Sequence, residues 1–130
     1  MSYKIGMPTL LELRSLDANV AFCKELGLSL IELNMTLPEF LPSSLPPDRL
    51  RKITEHDGIE FTVHLSEEVD LASFHDEVRD AWIRNTAKTL KWASSPPDMT
   101  IFPFHSPAAK SKTGVVTTAD FVCQVRESMS

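Results

Sequence analysis

The chain has 130 residues, of which 42% are hydrophobic and 24% charged, and its formal net charge is −5. This length suits one domain with a substantial core, but it is well short of the roughly 250 residues of a complete eight-stranded α/β barrel. The acidic balance argues against nucleic acid as a partner, because proteins that bind it usually carry a basic stripe. The sequence shows neither a bilayer-spanning segment nor a signal peptide, so we expect a cytoplasmic protein without a membrane partner.

Strands and helices are predicted to alternate along the chain. Pro8 ends the first strand by removing an amide donor, and Asp17 is placed to cap the first helix. Gly27 and Gly58 each close a helix directly before an apolar strand. The predicted strands cover residues 3–7, 28–35, 59–65 and 99–104, and the predicted helices cover residues 18–26, 48–56 and 76–92.

Two loops and one long helix complete the predicted domain, residues 1–93. The segment 37–47 contains four prolines and two serines and is predicted to be irregular. The segment 66–74 is a second loop, acidic and polar. The long helix is predicted to bury one broad face, marked by Val78, Ala81, Trp82, Asn85, Thr89 and Trp92.

Residues 94–130 form a divergent carboxyl-terminal segment that we expect to be weakly structured. The run Ser-Ser-Pro-Pro at 94–97 breaks the long helix, and Pro103 restricts the fourth strand to an edge or a bulge. A last helix or strand is predicted over 119–125. Cys23 and Cys123 lie far apart without metal-type spacing, so both are interpreted as ordinary thiols.

The order of helix, glycine and nearly continuous apolar strand is typical of a parallel sheet covered by helices. Its repetition is what part of an α/β barrel would show, and active sites of such folds gather at the carboxyl ends of the strands. The sequence therefore predicts an α/β fold, a partial barrel of about three to four parallel strands alternating with helices.

Polar side chains mark the carboxyl ends of the second and third predicted strands. Because side chains alternate along a strand, Glu32 and Asn34 share one face of the second strand, and Thr62 and His64 share one face of the third. In a barrel the apolar faces would pack under the helices and these polar faces would point inward. We therefore expect Glu32, Asn34 and His64 at a common mouth.

His64 and Glu32 are the predicted catalytic residues. An imidazole can act as a general acid or base, or it can ligate a metal through a ring nitrogen. A carboxylate can bind a metal or substrate hydroxyls, since its burial is costly unless it is paired or coordinated. The alternatives are a histidine that is merely hydrogen-bonded inside the barrel, and a glutamate that forms an ion pair.

Two further histidines and one amide are candidates for the same mouth. His105 stands at the end of the weak fourth strand, where it could share a metal with His64. His75 lies beside the loop that follows the third strand and could close over a pocket. Asn34 and His75 are the predicted substrate-binding residues.

Three segments resemble the sugar phosphate isomerase/epimerase family. They are Lys-Ile-Gly-Met-Pro-Thr-Leu at 4–10, Cys-Lys-Glu-Leu-Gly-Leu-Ser-Leu-Ile-Glu-Leu-Asn-Met at 23–35, and Gly-Ile-Glu-Phe-Thr-Val-His-Leu at 58–65. The likeness covers residues 3–93, and Ile-Glu-Leu-Asn and Phe-Thr-Val-His-Leu are its most specific parts. This family shares the xylose-isomerase-like TIM barrel with the apurinic endonucleases, so the resemblance implies the amino-terminal half of a TIM barrel.

The resemblance also implies a divalent metal, Zn²⁺, Mn²⁺ or Mg²⁺, at the barrel mouth and isomerase or epimerase chemistry on a small sugar or sugar phosphate. In the endonuclease branch the metal-binding histidines look like His64 and His105. Because the second half of the barrel is missing, we expect a truncated form whose metal and sugar site is incomplete. Two alternatives stay open: a non-catalytic half-barrel that self-associates, for instance as a homodimer, and an apurinic endonuclease-like DNA repair protein.

Overall fold

The computed structural model describes residues 3–95, together with the backbone of three short strands within 100–102, 110–111 and 114–115. His105, Cys123 and the element predicted over 119–125 lie outside the described residues. Within the described part of the chain, no helix combines the length and apolar character needed to cross a bilayer.

Four parallel strands and three helices alternate along the chain. The strands are β1 (Gly6–Pro8), β2 (Leu30–Asn34), β3 (Glu60–His64) and β4 (Thr100–Phe102), and the helices are α1 (Leu16–Glu25), α2 (Pro47–Asp57) and α3 (Asp76–Ala93). The sheet has the order β1-β2-β3-β4, and every pairing in it is parallel. A short antiparallel ladder joins β5 (Lys110–Ser111) to β6 (Gly114–Val115). The predicted α/β class and parallel sheet are confirmed, and β4 extends the sheet beyond residue 93.

One face of the sheet carries the core. Ile31, Leu33 and Val63 are fully buried, and they belong to the same apolar cluster as Leu50 from α2 and Ala93 from α3. Strands that pair in sequential order through right-handed crossovers place all their helices on one side. The even-numbered side chains of β2 and β3 therefore point away from the helices.

The starts of the first strand and helix differ from the predictions. β1 begins at Gly6 instead of residue 3, and it ends at Pro8, which is its last residue. The Thr9 amide makes the bond to Glu32 O (2.9 Å), and the Pro8 nitrogen faces the sheet edge, where no donor is needed. The cap of α1 is Ser15, whose Oγ accepts from Ala18 N at 3.1 Å. Asp17 lies in the first turn of that helix, where its charge favours the helix dipole.

The proline-rich loop is more regular than predicted. It contains a 3₁₀ helix, Pro38–Phe40, which begins at a proline because the first turn of a helix needs no amide donor there. Phe40 and Leu45 are each only 1% exposed and join the main core. The Trp92 indole Nε1 donates to Leu45 O at 2.8 Å, so the end of α3 holds the end of this loop.

The buried face of α3 is not the predicted one. Of the predicted face only Thr89 is buried, whereas Val78, Ala81 and Asn85 are exposed. The other buried residues of the helix are Ile83, Thr86, Ala87 and Ala93. Trp82 and Trp92, which dominated the predicted face, are only half-buried. Both indoles still contribute to packing, Trp92 against the main core cluster and Trp82 against a smaller cluster that contains Ile83.

Asn19 organises the loop between β1 and α1. Its side chain is fully buried, and its Oδ1 accepts from Leu10 N at 3.0 Å. Its Nδ2 donates to Leu13 O at 2.7 Å and to Ser15 O at 3.0 Å. One amide side chain therefore satisfies backbone groups along the whole loop.

We expect Asn19→Ala to lower the free energy of unfolding by about 2–4 kcal/mol, since it leaves the partly buried Leu10 N and Leu13 O without this partner. Urea denaturation followed by circular dichroism measures the change. Asn85→Ala, at an exposed position of α3, is the matched control and should alter stability by no more than about 0.5 kcal/mol. Equal stability of the two variants would contradict the role of Asn19.

Candidate functional site

The sheet register brings three of the predicted residues together. Asn34 is aligned with His64 across the β2–β3 pair, and Glu32 is aligned with Thr62 two residues earlier. Aligned residues of neighbouring strands lie about 4.8 Å apart and project to the same side. Glu32, Asn34 and His64 are all half-buried, so each side chain reaches solvent from the face that lies away from the helices.

The His64 ring is held in one orientation by its own strand end. Nδ1 lies 2.9 Å from Leu65 O, and a carbonyl oxygen can only accept a hydrogen bond, so Nδ1 carries the proton. The neutral ring then has a lone pair on Nε2. That nitrogen can take a proton from a substrate or bind a metal, but one lone pair cannot do both at once.

Asn34 is also oriented by the backbone. Its Oδ1 accepts from Thr36 N at 2.9 Å, which leaves the two protons of the Asn34 amide nitrogen available. The Asn34 main-chain amide donates to Thr9 Oγ1 at 3.1 Å. The side chain beside His64 is therefore a donor that suits a substrate oxygen.

The loops that follow the strands are tied to one another around this site. Met35 N donates to His64 O at 3.0 Å, and Glu67 N donates to Thr36 Oγ1 at 3.4 Å. Together with the Thr9 hydroxyl, these contacts link the carboxyl ends of β1, β2 and β3. Thr9 and Thr36 were not among the predicted site residues, although a threonine just after a strand is the signal that could have found them.

Thr62 is a further polar residue of this face, and it was not among the predicted site residues. It is only 6% exposed, and its hydroxyl has no hydrogen-bond partner among the described residues. Its alignment with Glu32 places a hydroxyl beside a carboxylate. Its position between Glu60 and His64 on the polar face was the available signal.

The two remaining histidines are not brought to the site by the described structure. His75 is exposed at the start of α3, and no described hydrogen bond connects it with Glu32, Asn34 or His64. His105, the second predicted metal ligand, lies outside the described residues. The pairing of His64 with His105 stays a prediction.

The described residues fit a divalent metal only in part. An imidazole nitrogen and a carboxylate oxygen are suitable donors for Zn²⁺ or Mn²⁺. Within the described part of the chain, however, no three or more His, Cys, Asp or Glu side chains are grouped closely enough to hold an ion. Catalytic zinc sites take three ligands from the protein, so His64 and Glu32 alone fall short of one.

Cys23 lies in the core and does not belong to the site. It is 0% exposed, and its Sγ lies 3.8 Å from Leu30 O. Burial raises the pKa of this thiol above its ordinary value, which keeps it protonated at neutral pH. Cys23 is therefore a packing residue and not a nucleophile.

Comparison with family models, curated proteins and solved structures finds no match to this chain. The family resemblance therefore depends on the three segments from which it was drawn and stays a prediction.

We expect Cys23 in a Cys123→Ser background to react with a thiol reagent at least about 100-fold more slowly in buffer than in urea, because reaction requires local opening of the core. Absorbance of the released thiolate measures the rate. The reference is a chain in which both native cysteines are replaced by serine and Ser29→Cys adds one thiol at an exposed position. This thiol should react at similar rates in buffer and in urea. Fast reaction of native Cys23 would show that the thiol is accessible.

Proposed function

We propose that the chain forms the first strands of a sugar phosphate isomerase/epimerase-like barrel and binds a small sugar or sugar phosphate at the carboxyl ends of β2 and β3. The supporting observation is that Glu32, Asn34 and His64 share the sheet face that lies opposite the helices. In an α/β barrel this face is the interior, and substrates enter it from the carboxyl ends of the strands.

The strand order favours a barrel over the other common α/β architecture. In a doubly wound sheet the order reverses at a switch point, and helices cover both faces. Here the order β1-β2-β3-β4 runs without reversal, and each helix contacts the strand that follows it. Continued in the same sense, such a sheet curls and closes on itself.

The side chains at the strand ends suit movement of a proton next to a carbonyl group. His64 Nε2 has the free lone pair, so it is assigned the role of proton acceptor. The Asn34 amide donates to a substrate oxygen, and the Glu32 carboxylate accepts hydrogen bonds from substrate hydroxyls. By this route, isomerisation and epimerisation next to a sugar carbonyl group both remove a proton from a carbon and return it to another carbon or to the other face.

A metal has a limited part in this proposal. When bound, a divalent cation such as Zn²⁺, Mn²⁺ or Mg²⁺ would polarise a substrate oxygen. Since the described residues offer fewer ligands than a catalytic site needs, no step is assigned to it.

We expect a titration of the full chain with four- to six-carbon ketose phosphates to shift the imidazole NMR signals of His64. Glu32→Gln should weaken binding roughly tenfold, because hydrogen bonds to a charged group contribute about 1.5–3 kcal/mol. His64→Gln should remove any exchange of substrate carbon-bound hydrogen with D₂O.

Two control variants separate this site from general effects on the charge of the chain. Glu25→Gln and His56→Gln change exposed residues of α1 and α2 and should leave binding unchanged. If no sugar phosphate moves the His64 signals at millimolar concentration, or if the controls weaken binding equally, the proposed sugar site is wrong.

A non-catalytic, self-associating half-barrel is the second candidate function. β1 pairs on one side with β2, and its other side has no partner among the described residues. Tyr3 and Ile5, which lead into this strand, are 87% and 71% exposed. An unpaired strand edge next to exposed apolar side chains is a template for pairing with a second copy.

We expect light scattering of the wild-type chain to report a dimer if this second function holds, and Ile5→Lys to convert it to a monomer, since an edge lysine disfavours strand pairing. Leu11→Lys is the control, because Leu11 is also exposed (69%) but lies beyond the strand. A wild-type monomer at all concentrations would exclude this function.

A further inference from the structure

The carboxyl ends of the strands carry more negative charge than the amino ends. Around the candidate sugar site, each of three segments combines the loop after a strand with the start of the next helix. Together they are named the acidic rim, and they cover residues 9–17, 35–49 and 65–77. The acidic rim holds nine carboxylates and two arginines, and one of these arginines, Arg49, is paired with Asp17 at 2.9 Å.

The opposite end of the sheet has a different balance of charge. It is formed by the chain before β1, by the ends of the helices and by the residues that lead into the next strand. These segments cover residues 3–5, 22–29, 52–60 and 88–95, and they hold five lysines and four carboxylates. The described domain is therefore polarised along its strands, strongly negative where the candidate site lies and close to neutral at the far end.

The dipoles of the helices do not reverse this polarity. All three helices begin in the acidic rim, and each helix start contributes about half of a positive elementary charge. Their sum, roughly 1.5 charges, is well below the excess of carboxylates over arginines in the acidic rim. The potential at the candidate site is therefore negative, and such a potential attracts cations and repels anions.

Glu67 is the rim carboxylate that is tied to the strand ends themselves. Its main-chain amide donates to Thr36 Oγ1 at 3.4 Å, two residues after Asn34 and three residues after His64. The Glu67 side chain is exposed. A ligand that reaches Asn34 and His64 from solvent therefore approaches past this carboxylate.

The loop that carries Glu67 is anchored to the protein core. Val69 and Leu71 are buried and belong to one apolar cluster, whereas Glu68 and Asp70, which alternate with them, are exposed. Glu68 N donates to Ser66 Oγ at 3.3 Å, which further fixes the start of the loop. Since its apolar residues hold the loop in place, the negative charges of the acidic rim stay near the strand ends.

We propose that the acidic rim makes the sugar site select its substrate by charge, so that an amino sugar is preferred to an uncharged sugar and a sugar phosphate binds weakest. Glu67 and Glu68 are the specificity-determining residues. The inference rests on the proposed function, because it names the substrate class of the same site. The acidic rim is not itself the binding site: its field acts on a ligand that the side chains at the strand ends hold.

The physical reason is the charge that each sugar brings to the site. A phosphate group carries about −1.5 to −2 charges at neutral pH, and it would enter a negative potential. The ammonium group of an amino sugar carries a positive charge and is attracted by the same potential. Exposed charges contribute modestly, so each step in this order is expected to be roughly threefold in affinity.

The test is a titration of the full chain with three six-carbon ketoses, 1-amino-1-deoxyfructose, fructose and fructose 6-phosphate, followed through the imidazole NMR signals of His64. We expect all three to shift these signals, with affinity falling in that order at about 0.02 M NaCl. At about 0.5 M NaCl the differences should shrink to less than about 1.5-fold, because salt screens exposed charges.

Two double variants locate the effect. Glu67→Gln with Glu68→Gln should weaken the amino sugar roughly three- to fivefold, strengthen the phosphate by a similar factor and leave fructose unchanged. Glu25→Gln with Glu55→Gln is the matched control, because it makes the same change in net charge at exposed positions of the far end. The control should leave the affinities of all three sugars unchanged.

Two results would overturn the selectivity while the sugar site stands. One is that fructose binds but the phosphate binds as tightly as the amino sugar in low salt. The other is that the control pair alters the order of affinities as much as the rim pair does. If none of the three ketoses shifts the His64 signals, the sugar site and its selectivity are both wrong.

Discussion

The parallel pairing of β2 with β3 determines both the core and the candidate site. Five consecutive residue pairs run in register, from Leu30 with Glu60 to Asn34 with His64. Since side chains alternate, this register sends one set to the helices and the other to the open face. A slip of one residue would bury Asn34 and expose Leu33, so packing energy in the core also fixes the position of the polar groups.

Hydrogen bonds to threonine side chains hold the strand ends, in addition to the backbone hydrogen bonds between the strands. Thr9 accepts from the Asn34 amide, and Thr36 accepts from the Glu67 amide. Loops at functional sites often carry mobile residues, but here hydroxyl groups satisfy the backbone donors at two successive strand ends. The His64 ring is oriented by the same layer of contacts, through Leu65 O.

Sequence patterns predicted the regular parts of this fold because those parts depend on local periodicity. Both helix-closing glycines adopt the left-handed conformation expected of them, and Gly58 has φ of 68°. The sequence did not show whether Asp17 or Ser15 caps the first helix, since both residue types cap well. Tertiary contacts with the preceding loop determine which of the two is the cap. Likewise, the buried face of α3 depends on the angle at which the helix packs on its neighbours. The sequence positions of its two tryptophans do not determine that angle. Among the described residues the buried Thr86 hydroxyl has no hydrogen-bond partner, which is a three-dimensional fact that no pattern of residue types records.

The hydrogen bond from Trp92 to Leu45 spans 47 residues and has a consequence for the order of events during synthesis. A ribosome adds about 5–20 residues per second, so the loop that ends at Leu45 emerges several seconds before the indole that holds it. During that interval the Leu45 carbonyl and the apolar side chains of the loop lack their final covering. The nascent chain therefore passes through a stage in which the first two strand–helix units are made but the loop between β2 and α2 is still accessible to chaperones and proteases.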